Sequence, residues 1–186
     1  DIIPNTVMSY SPVAGSTSGS LSSYPSAPMV LDIAALQELY GAADFNTGNT
    51  SYNLAEAGFQ SFRALWDSHG TDTLDASACA AGVNLDLAPG ARSEIGATVQ
   101  AFACQGSGAS QTFTMSNYTD TLTIARGADI ENATGSQFAD VIFGNALANV
   151  IHGGAGNDLI DGRGSNDSLF GDAGNDTFRI GAGSAT

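Results

Sequence analysis

Aspartate or asparagine recurs at every ninth residue towards the carboxyl end of the chain, together with glycine at the same period. Five consecutive nonapeptides between residues 135 and 179 carry an acidic or amide side chain at their sixth position, namely Asp140, Asn149, Asp158, Asp167 and Asp176. Glycine opens each nonapeptide, at Gly135, Gly144, Gly153, Gly162 and Gly171. A fixed period of this kind indicates similar structural units stacked on one another.

Oxygen atoms stacked in this way suit a hard cation. We expect each sixth side chain to meet carbonyl oxygens from the opening glycines and from the third residues Ala155, Gly164 and Ala173. Calcium takes about six to eight oxygen ligands, whereas zinc prefers His and Cys. Carboxylates stacked about 4.8 Å apart would repel one another without an ion. The repeats therefore predict several calcium ions that are part of the fold.

The second nonapeptide departs from this pattern. Asn149 carries a neutral amide, which is a weaker ligand than a carboxylate, and its turn GNALAN lacks the inner glycine. The best matches are GGAGND at 153–158 and GDAGND at 171–176. We expect calcium sites that touch the Asn149 row to be weaker or absent.

Tight turns and short strands must hold these ligands. In each repeat, six residues are expected to form a turn and three to form a strand of a parallel β-roll. The apolar eighth residues should point inward and stack, and they are Ile142, Ile151, Ile160, Leu169 and Phe178. We expect glycine to supply the positive φ angles of the turn. His152, at a ninth position, is expected to lie on the surface.

The residues before the repeats predict one helix and then further β-structure. Apolar residues recur at helical spacing from Leu31 to Leu39, and Gly41 suits the end of the helix. Short β-favouring stretches follow at residues 50–54, 73–76, 82–87, 111–115 and 119–125. Residues 11–29 are predicted to be an irregular surface segment. The chain is therefore expected to be mostly β, with a boundary between residues 1–43 and residues 44–186.

Composition limits the partners of this chain. Nineteen Asp and Glu residues face five Arg and no Lys, and the net charge of -14 opposes binding to nucleic acid or anionic lipid. No apolar run reaches the roughly 18 residues that span a membrane, so membrane insertion is not expected. Cys79 and Cys104 could form a disulfide in an oxidising compartment, and two free buried thiols are the alternative.

The nonapeptides resemble the repeats-in-toxin (RTX) motif, which occurs in toxins, lipases, epimerases, adhesins and proteases. Further segments are similar to the serralysins, which are secreted bacterial zinc proteases of the metzincin group. They are TVMSY at 6–10, PMVLDIAALQELYGA at 28–42, TGNTSY at 47–52, LWDSHGTDTLDAS at 65–77 and ADIENATG at 128–135. The resemblance identifies residues 1–43 as the end of an α+β metzincin catalytic domain. It implies a secreted, extracellular enzyme that hydrolyses proteins or peptides.

The same resemblance implies roles beside a catalytic zinc ion. Met8 corresponds to the Met-turn beneath the zinc, and Tyr10 to a phenol that binds zinc at rest and then hydrogen-bonds the developing oxyanion. The zinc-binding motif HExxHxxGxxH does not occur in the chain, whose two His residues are His69 and His152. We expect this motif upstream of Asp1, and the chain alone is therefore expected to be inactive.

The resemblance also implies a calcium ion where the protease domain meets the roll. Its implied ligands are Asn46, Gly48, Thr50, Asp67, His69, Gly70, Asp72, Asp129 and Glu131. Asn46 stands where the family has Arg, and His69 where it has Gly. A carbonyl ligand tolerates both changes, although His69 is expected to strain the turn.

Two other functions are compatible with RTX repeats. One is a non-enzymatic, calcium-folded module for secretion or adhesion, and the other is a polysaccharide lyase or epimerase with the same roll. The Met-turn resemblance disfavours the second of these. The sequence immediately before Asp1 would discriminate between a protease and a non-enzymatic module.

Overall fold

A computed structural model describes residues 30–56, 59, 62–96, 98–105 and 112–179. Met8 and Tyr10 lie outside the described residues. The first described element is the helix α1, Val30–Tyr40. Gly41 follows it with φ 84°, and its N–H donates to the carbonyl of Gln37 at 2.9 Å. A left-handed glycine of this kind ends a helix, so the predicted helix and its end are confirmed.

The described residues contain fourteen strands, most of them three residues long. They are β1 Ser51–Asn53, β2 Arg63–Leu65, β3 Thr73–Asp75, β4 Asn84–Asp86, β5 Arg92–Ser93, β6 Val99–Gln105, β7 Thr112–Tyr118, β8 Leu122–Ile124, β9 Asn132–Thr134, β10 Val141–Phe143, β11 Val150–His152, β12 Leu159–Asp161, β13 Ser168–Phe170 and β14 Thr177–Arg179. Each of the five stretches predicted before the repeats overlaps a strand. Before the repeats, the sequence did not predict β2, β5, β6 or β9.

The repeats form a parallel β-roll whose strands alternate between two sheets. One sheet has the order β1-β3-β9-β11-β13, and the other has the order β14-β12-β10-β4. Residues 18 positions apart are direct neighbours, as Ile142 with Ile160 and Ile151 with Leu169. Two nonapeptides therefore make one coil. The predicted fold class, mostly β with a parallel β-roll, is confirmed.

The core of the roll is the predicted ladder of eighth residues. Ile142, Ile151 and Ile160 are fully buried, and the non-repeat strands continue the ladder with Leu74 and Leu85. Burial decreases at the far end, because β13 and β14 are edge strands of their sheets. Leu169 is accordingly half-buried, and Phe178 is 44% exposed.

An ion pair links the repeats to a strand outside them. Arg163, two residues after β12, donates to both carboxylate oxygens of Asp86 on β4, at 2.8 and 2.7 Å. Its guanidinium group lies 5.0 Å from the ring centroid of Phe143, on the intervening strand β10. The side chain therefore crosses one strand to reach the next.

Two antiparallel elements accompany the roll. The strands β6 and β7 form a hairpin in which Val99 pairs with Tyr118 and Gln105 with Thr112. Phe62 and Val99 form a small buried cluster at the base of this hairpin, with Tyr118 packed against it. Strand β5 pairs with β8, which also pairs in parallel with β2.

Cys79 does not form the disulfide bond that was one of its two expected states. Cys79 is a free thiol buried in the main core, so the disulfide prediction is wrong and the alternative of a free thiol holds for this residue. Burial raises the pKa of that thiol.

Leu31, Leu36 and Leu39 of α1 are at least 50% exposed although the helix is apolar. Among the described residues, neither this helix nor any other is both long and apolar enough to span a membrane.

Candidate calcium sites

The sixth side chains of alternate repeats form two columns, one on each side of the roll. In the first column, the backbone N–H of Asp140 donates to Oδ1 of Asp158 at 2.9 Å. The N–H of Asp158 donates in turn to Oδ1 of Asp176 at 3.1 Å. Each carboxylate therefore accepts a hydrogen bond from the backbone of the preceding coil, and the three carboxylates are aligned in one column. The predicted stacking of sixth residues is present in the structure.

The second column extends beyond the repeats. The N–H of Asn149 donates to Oδ1 of Asp167 at 3.0 Å. The same pattern recurs upstream, where the N–H of Asp72 donates to Oε2 of Glu131 at 2.7 Å and the N–H of Thr50 donates to Oδ1 of Asp72 at 2.7 Å. Asp72 and Glu131 therefore occupy positions equivalent to those of the repeat carboxylates. Periodicity did not reveal this equivalence, because 59 residues separate the two acids.

The opening glycines are needed for close approach and not for a positive φ angle. None of the five has a positive φ, and the glycines that supply positive φ angles to the turns are instead Gly154, Gly156 and Gly174. A Cβ atom on Gly153 would instead meet Oδ2 of Asp158 and would lie 2.8 Å from the carbonyl oxygen of Gly171. A carboxylate and a carbonyl from two successive coils thus converge on one point beside Gly153, and the same arrangement occurs beside Gly135.

Positive φ angles occur at other positions, and only in the last three turns. The second residues Gly154, Arg163 and Asp172 have φ values of 96, 63 and 63°. The fourth residues Gly156, Ser165 and Gly174 have φ values of 126, 74 and 144°. Backbone handedness therefore alternates along these three turns, and it does not alternate in the first two.

The middle of the first column contains an unsatisfied carboxylate. Asp158 is 2% exposed, and its Oδ2 has no hydrogen-bond partner. Burial raises the pKa of Asp158, and the neighbouring charges of Asp140, Asp176 and Asp172 raise it further. A buried anionic oxygen without a donor is costly unless a cation is bound beside it. This arrangement therefore fits a hard cation at Asp158.

A second group of unsatisfied oxygens lies where the implied interface calcium was expected. Asp67 and Asp72 are almost fully buried, and Oδ1 of Asp67 and Oδ2 of Asp72 have no hydrogen-bond partner. Burial raises the pKa of Asp72 to about 6, and the charges of Asp67 and Glu131 contribute. The other oxygen of Asp67 accepts a 2.6 Å hydrogen bond from the hydroxyl of Tyr52. Burial and this bond raise the pKa of Tyr52 to about 12. These carboxylates also fit a hard cation.

Some of the other residues that the resemblance implies as ligands of the interface calcium lie directly beside these carboxylates, and others do not. A Cβ atom on Gly70, which has φ 127°, would lie 2.7 Å from the carbonyl oxygen of Gly48. Thr50 bonds that carbonyl through its hydroxyl. The Nδ2 group of Asn46 donates to the hydroxyl of Tyr52 at 2.9 Å. Gly48, Gly70 and Thr50 therefore lie beside Asp72, and Asn46 contacts the group through Tyr52.

His69 and Asp129 lie further out. The ring of His69 is exposed and contacts Asp44 at 3.2 Å, so its side chain does not join the buried carboxylates. The strain expected at His69 is absent, because the positive φ of this turn falls on the neighbouring Gly70, at 127°. Asp129 is exposed, and its N–H donates to the carbonyl of Asp67 at 3.3 Å.

Side chains alone do not complete a metal site in the part of the chain that the structure describes. There, no group of three or more His, Cys, Asp or Glu side chains is positioned to hold a metal ion. Any cation at the columns must therefore draw on carbonyl oxygens as well as carboxylates. Calcium accepts such a ligand set, whereas zinc does not favour it.

Comparison with known families agrees with this chemistry. The model of the RTX calcium-binding nonapeptide repeat, which comprises four copies, matches residues 143–178. The chain therefore carries a calcium-binding RTX β-roll.

Curated proteases are similar over a longer region. Metallopeptidase AprA of Pseudomonas marginalis is 38% identical over 140 residues, which are 68% of this chain and 25% of that protein. Serralysin of Proteus mirabilis is 31% identical over 152 residues, which are 75% of this chain and 27% of that protein. The resemblance to serralysin-type metalloproteases is thus confirmed. The chain spans about a quarter of the length of these relatives.

Proposed function

We propose that this chain is the calcium-binding part of an extracellular zinc metalloendopeptidase, in which calcium neutralises the two carboxylate columns. The observation that carries the calcium role is the buried, unsatisfied Oδ2 of Asp158 in a column of acids. The similarity to serralysin-type proteases supports the enzymatic setting. Proteins or peptides are the proposed substrates of the complete enzyme.

The proposed repeat ligands are oxygen atoms from successive turns of one column. The sixth residues supply side-chain oxygens, and the opening and third residues supply carbonyl oxygens. This set comprises Gly135, Asp140, Gly144, Asn149, Gly153, Ala155, Asp158, Gly162, Gly164, Asp167, Gly171, Ala173 and Asp176. Close packing beside Gly153 supports it, because a carboxylate and a carbonyl already meet there. The carbonyl of Ala173 also accepts a 2.8 Å hydrogen bond from the N–H of Gly156 and retains one lone pair.

A further calcium ion is proposed at the buried acids Asp67 and Asp72, with Glu131 beside them. The carbonyl groups of the segments around Gly48, Gly70 and Asp129 would complete its ligand set. One carboxylate oxygen of Asp67 and one of Asp72 have no hydrogen-bond donor, which supports this assignment, since two adjacent buried carboxylates are unfavourable without a cation.

Zinc chemistry is proposed for the complete enzyme. Met8 would form the floor beneath the zinc ion, Tyr10 would assist at the oxyanion, and an upstream HExxHxxGxxH segment would supply three His ligands. Exposed apolar side chains on α1 support contact with such a segment. Two of them, Leu36 and Tyr40, line a groove of about 540 Å³ together with Leu65 and Trp66. Exposed apolar surface of this kind is typical of contacts with another part of a protein.

Chelation tests the calcium role directly. Far-ultraviolet circular dichroism is expected to show loss of β-structure when calcium is removed, because about 1–2 kcal/mol of ordering entropy per residue is then uncompensated in the repeats. An unchanged spectrum after verified metal removal would contradict the proposal. Recovery on adding calcium is the control for irreversible damage.

Joining the chain to an upstream catalytic segment tests the enzymatic role. The 186-residue chain alone is expected not to cleave casein with zinc and calcium present, since a catalytic zinc needs three protein ligands and an open position. The joined enzyme should cleave casein, and Tyr10→Phe should lower kcat more than it raises KM. Tyr118→Phe, on the hairpin strand β7, is the matched control. Cleavage by the isolated chain would show that the active site has been misplaced.

A non-enzymatic secretion or adhesion module remains the second candidate. It is favoured by the match of the family model, which covers the repeats alone. Calcium-dependent folding without protease activity in the joined enzyme would support it.

A further inference from the structure

The five repeat turns are of two structural kinds. The turns at 153–158, 162–167 and 171–176 have left-handed second and fourth residues. The turns at 135–140 and 144–149 have no residue with positive φ. The change falls between Asn149 and Gly153, and it separates the array into two parts. This division is unrelated to the spacing of the sixth residues, which is uniform.

In the first turn, the side chain of Ser136 is hydrogen-bonded inside the turn. Ser136 is 2% exposed, and its hydroxyl lies 2.9 and 3.0 Å from the two carboxylate oxygens of Asp140. It also accepts the N–H of Phe138 at 3.0 Å. The backbone N–H groups of Val83 and Ser136 donate to the same carboxylate, at 2.7 and 2.6 Å. Asp140 is therefore satisfied by the protein itself.

In the second turn, the buried side-chain amides of Asn145 and Asn149 are likewise hydrogen-bonded inside the turn. The Nδ2 group of Asn145 donates to the carbonyls of Leu87 at 3.1 Å and Ile130 at 2.8 Å. The Nδ2 group of Asn149 donates to the carbonyl of Glu131 at 2.8 Å and to Oδ1 of Asn145 at 3.1 Å. Three carbonyl oxygens that face this turn are thus bound by N–H groups where a calcium site would use a cation.

The acceptor oxygens of the two amides are also used. Oδ1 of Asn149 accepts the N–H of Asn145 at 2.9 Å, and Oδ1 of Asn145 accepts the N–H of Leu147 at 2.9 Å. Asn145 and Asn149 are 5% and 1% exposed, so this network is shielded from water. Satisfied networks of this kind make a buried polar turn stable without an ion.

The third turn lacks such a network. Its second residue is Gly154, which has no side chain to place inside the turn, and Oδ2 of Asp158 is left without a donor. The carboxylate of Asp158 is flanked by Asp140 and Asp176 in the same column. In the first and second turns, hydrogen bonds within the protein therefore satisfy the buried oxygens, whereas in the third turn a cation would do so.

We propose that the calcium-dependent part of the roll begins at Gly153, and that Ser136, Asn145 and Asn149 make the two preceding turns independent of calcium. This inference rests on the proposed calcium role of the repeats and narrows it, because the oxygens of the first two turns in the proposed ligand set are then not needed to fold those turns. Residues 135–152 then remain folded with the non-repeat strands when calcium is removed. Only the coils from residue 153 onward lose their structure.

Hydrogen–deuterium exchange of the full chain, with calcium and with chelator, tests this division. Chelation is expected to increase exchange at Leu159, Ser168 and Thr177 by at least tenfold. The N–H groups of Val141 and Leu147 should keep their protection, since they bond to Val83 and to Asn145. Equal loss of protection at residues 141–152 and 159–179 would overturn the proposal while leaving the calcium role intact. Unchanged exchange throughout would overturn both.

Converting the second turn to the third kind is a second test. Asn145→Gly, Leu147→Gly, Ala148→Asn and Asn149→Asp together change GNALAN to GGAGND. Calorimetric titration with calcium should then show more bound ions per chain than the unchanged protein, and residues 141–152 should become sensitive to chelator. The matched control carries the single substitution Ala146→Ser, at an exposed position of the same turn. An unchanged number of ions in the folded variant would overturn the proposal. If the variant does not fold in calcium, the exchange pattern of the unchanged chain decides.

Discussion

Asp158→Asn should have opposite effects on stability with and without calcium. The substitution removes the charge at the middle of the first column but keeps an oxygen that can accept the N–H of Asp140. Without calcium, the charged Asp158 is destabilised by burial and by its acidic neighbours, as its raised pKa indicates. The amide should therefore stabilise the calcium-free protein.

The expected magnitudes follow from simple electrostatics and linkage. Two like charges at a spacing of about 4.8 Å repel by about 1–3 kcal/mol in a partly hydrated environment. Asp158 would contribute to the calcium site between its own turn and the turn of Asp176. A tenfold loss of affinity at this site, at about 1.4 kcal/mol per tenfold, would lower stability in saturating calcium by about 1.4 kcal/mol.

Urea unfolding of both proteins, in chelator and in saturating calcium, measures both effects. The matched control is Asp120→Asn, on the loop between β7 and β8, where Asp120 contacts Arg92 at 2.8 Å. This change should shift stability by less than about 1 kcal/mol, and equally in both conditions. Destabilisation by Asp158→Asn of the same size in chelator and in calcium would refute the reasoning.

Three further predictions test the packing and the electrostatics of the roll. In chelator, stability should rise as pH falls from 7 towards 4, because the pKa of Asp72 is raised to about 6 and the folded state binds its proton more tightly than the unfolded chain. Thermal unfolding would show this, and Asp72→Asn should flatten the profile; an unchanged slope in that variant would contradict it. Gly153→Ala should weaken calcium binding in a calorimetric titration, because its Cβ would meet the Asp158 carboxylate, whereas Gly164→Ala has ordinary space. Equal effects of the two substitutions would argue against the close-approach explanation. Ile151→Ala, at a fully buried ladder position, should cost about 2–5 kcal/mol in urea unfolding, and Val150→Ala, 42% exposed on the same strand, much less.

The repeats allowed most of the roll to be predicted from sequence. A period of nine placed Ile142, Ile151 and Ile160 in the core and aligned Asp140, Asp158 and Asp176, because both features depend on spacing alone. The backbone of the turns was predicted less well. Positive φ angles fall on the second and fourth residues, and three of those positions hold Arg163, Ser165 and Asp172, which composition does not mark as left-handed.

Contacts between distant segments could not be predicted by periodicity. The column continues through Glu131 and Asp72, yet nothing in their spacing relates them to the repeats. The resemblance to serralysins named both residues, but as part of a separate site. The hydrogen bonds of Asn145 were also missed, since the repeat pattern places no requirement on the second residue. Three-residue strands such as β2 are too short to produce a recognisable alternation.

The contact between Arg163 and Asp86 has a consequence for the accuracy of folding. Coils of nearly identical sequence can stack with a slip of one whole coil, and such an error preserves the apolar ladder and the carboxylate columns. Arg163 is one of only five cationic Lys or Arg side chains in the chain, and it reaches Asp86 only when β10 lies between them. A coil slipped by 18 residues would leave Asp86 without this partner. The ion pair therefore distinguishes the correct alignment from alternatives that the repeats themselves cannot tell apart.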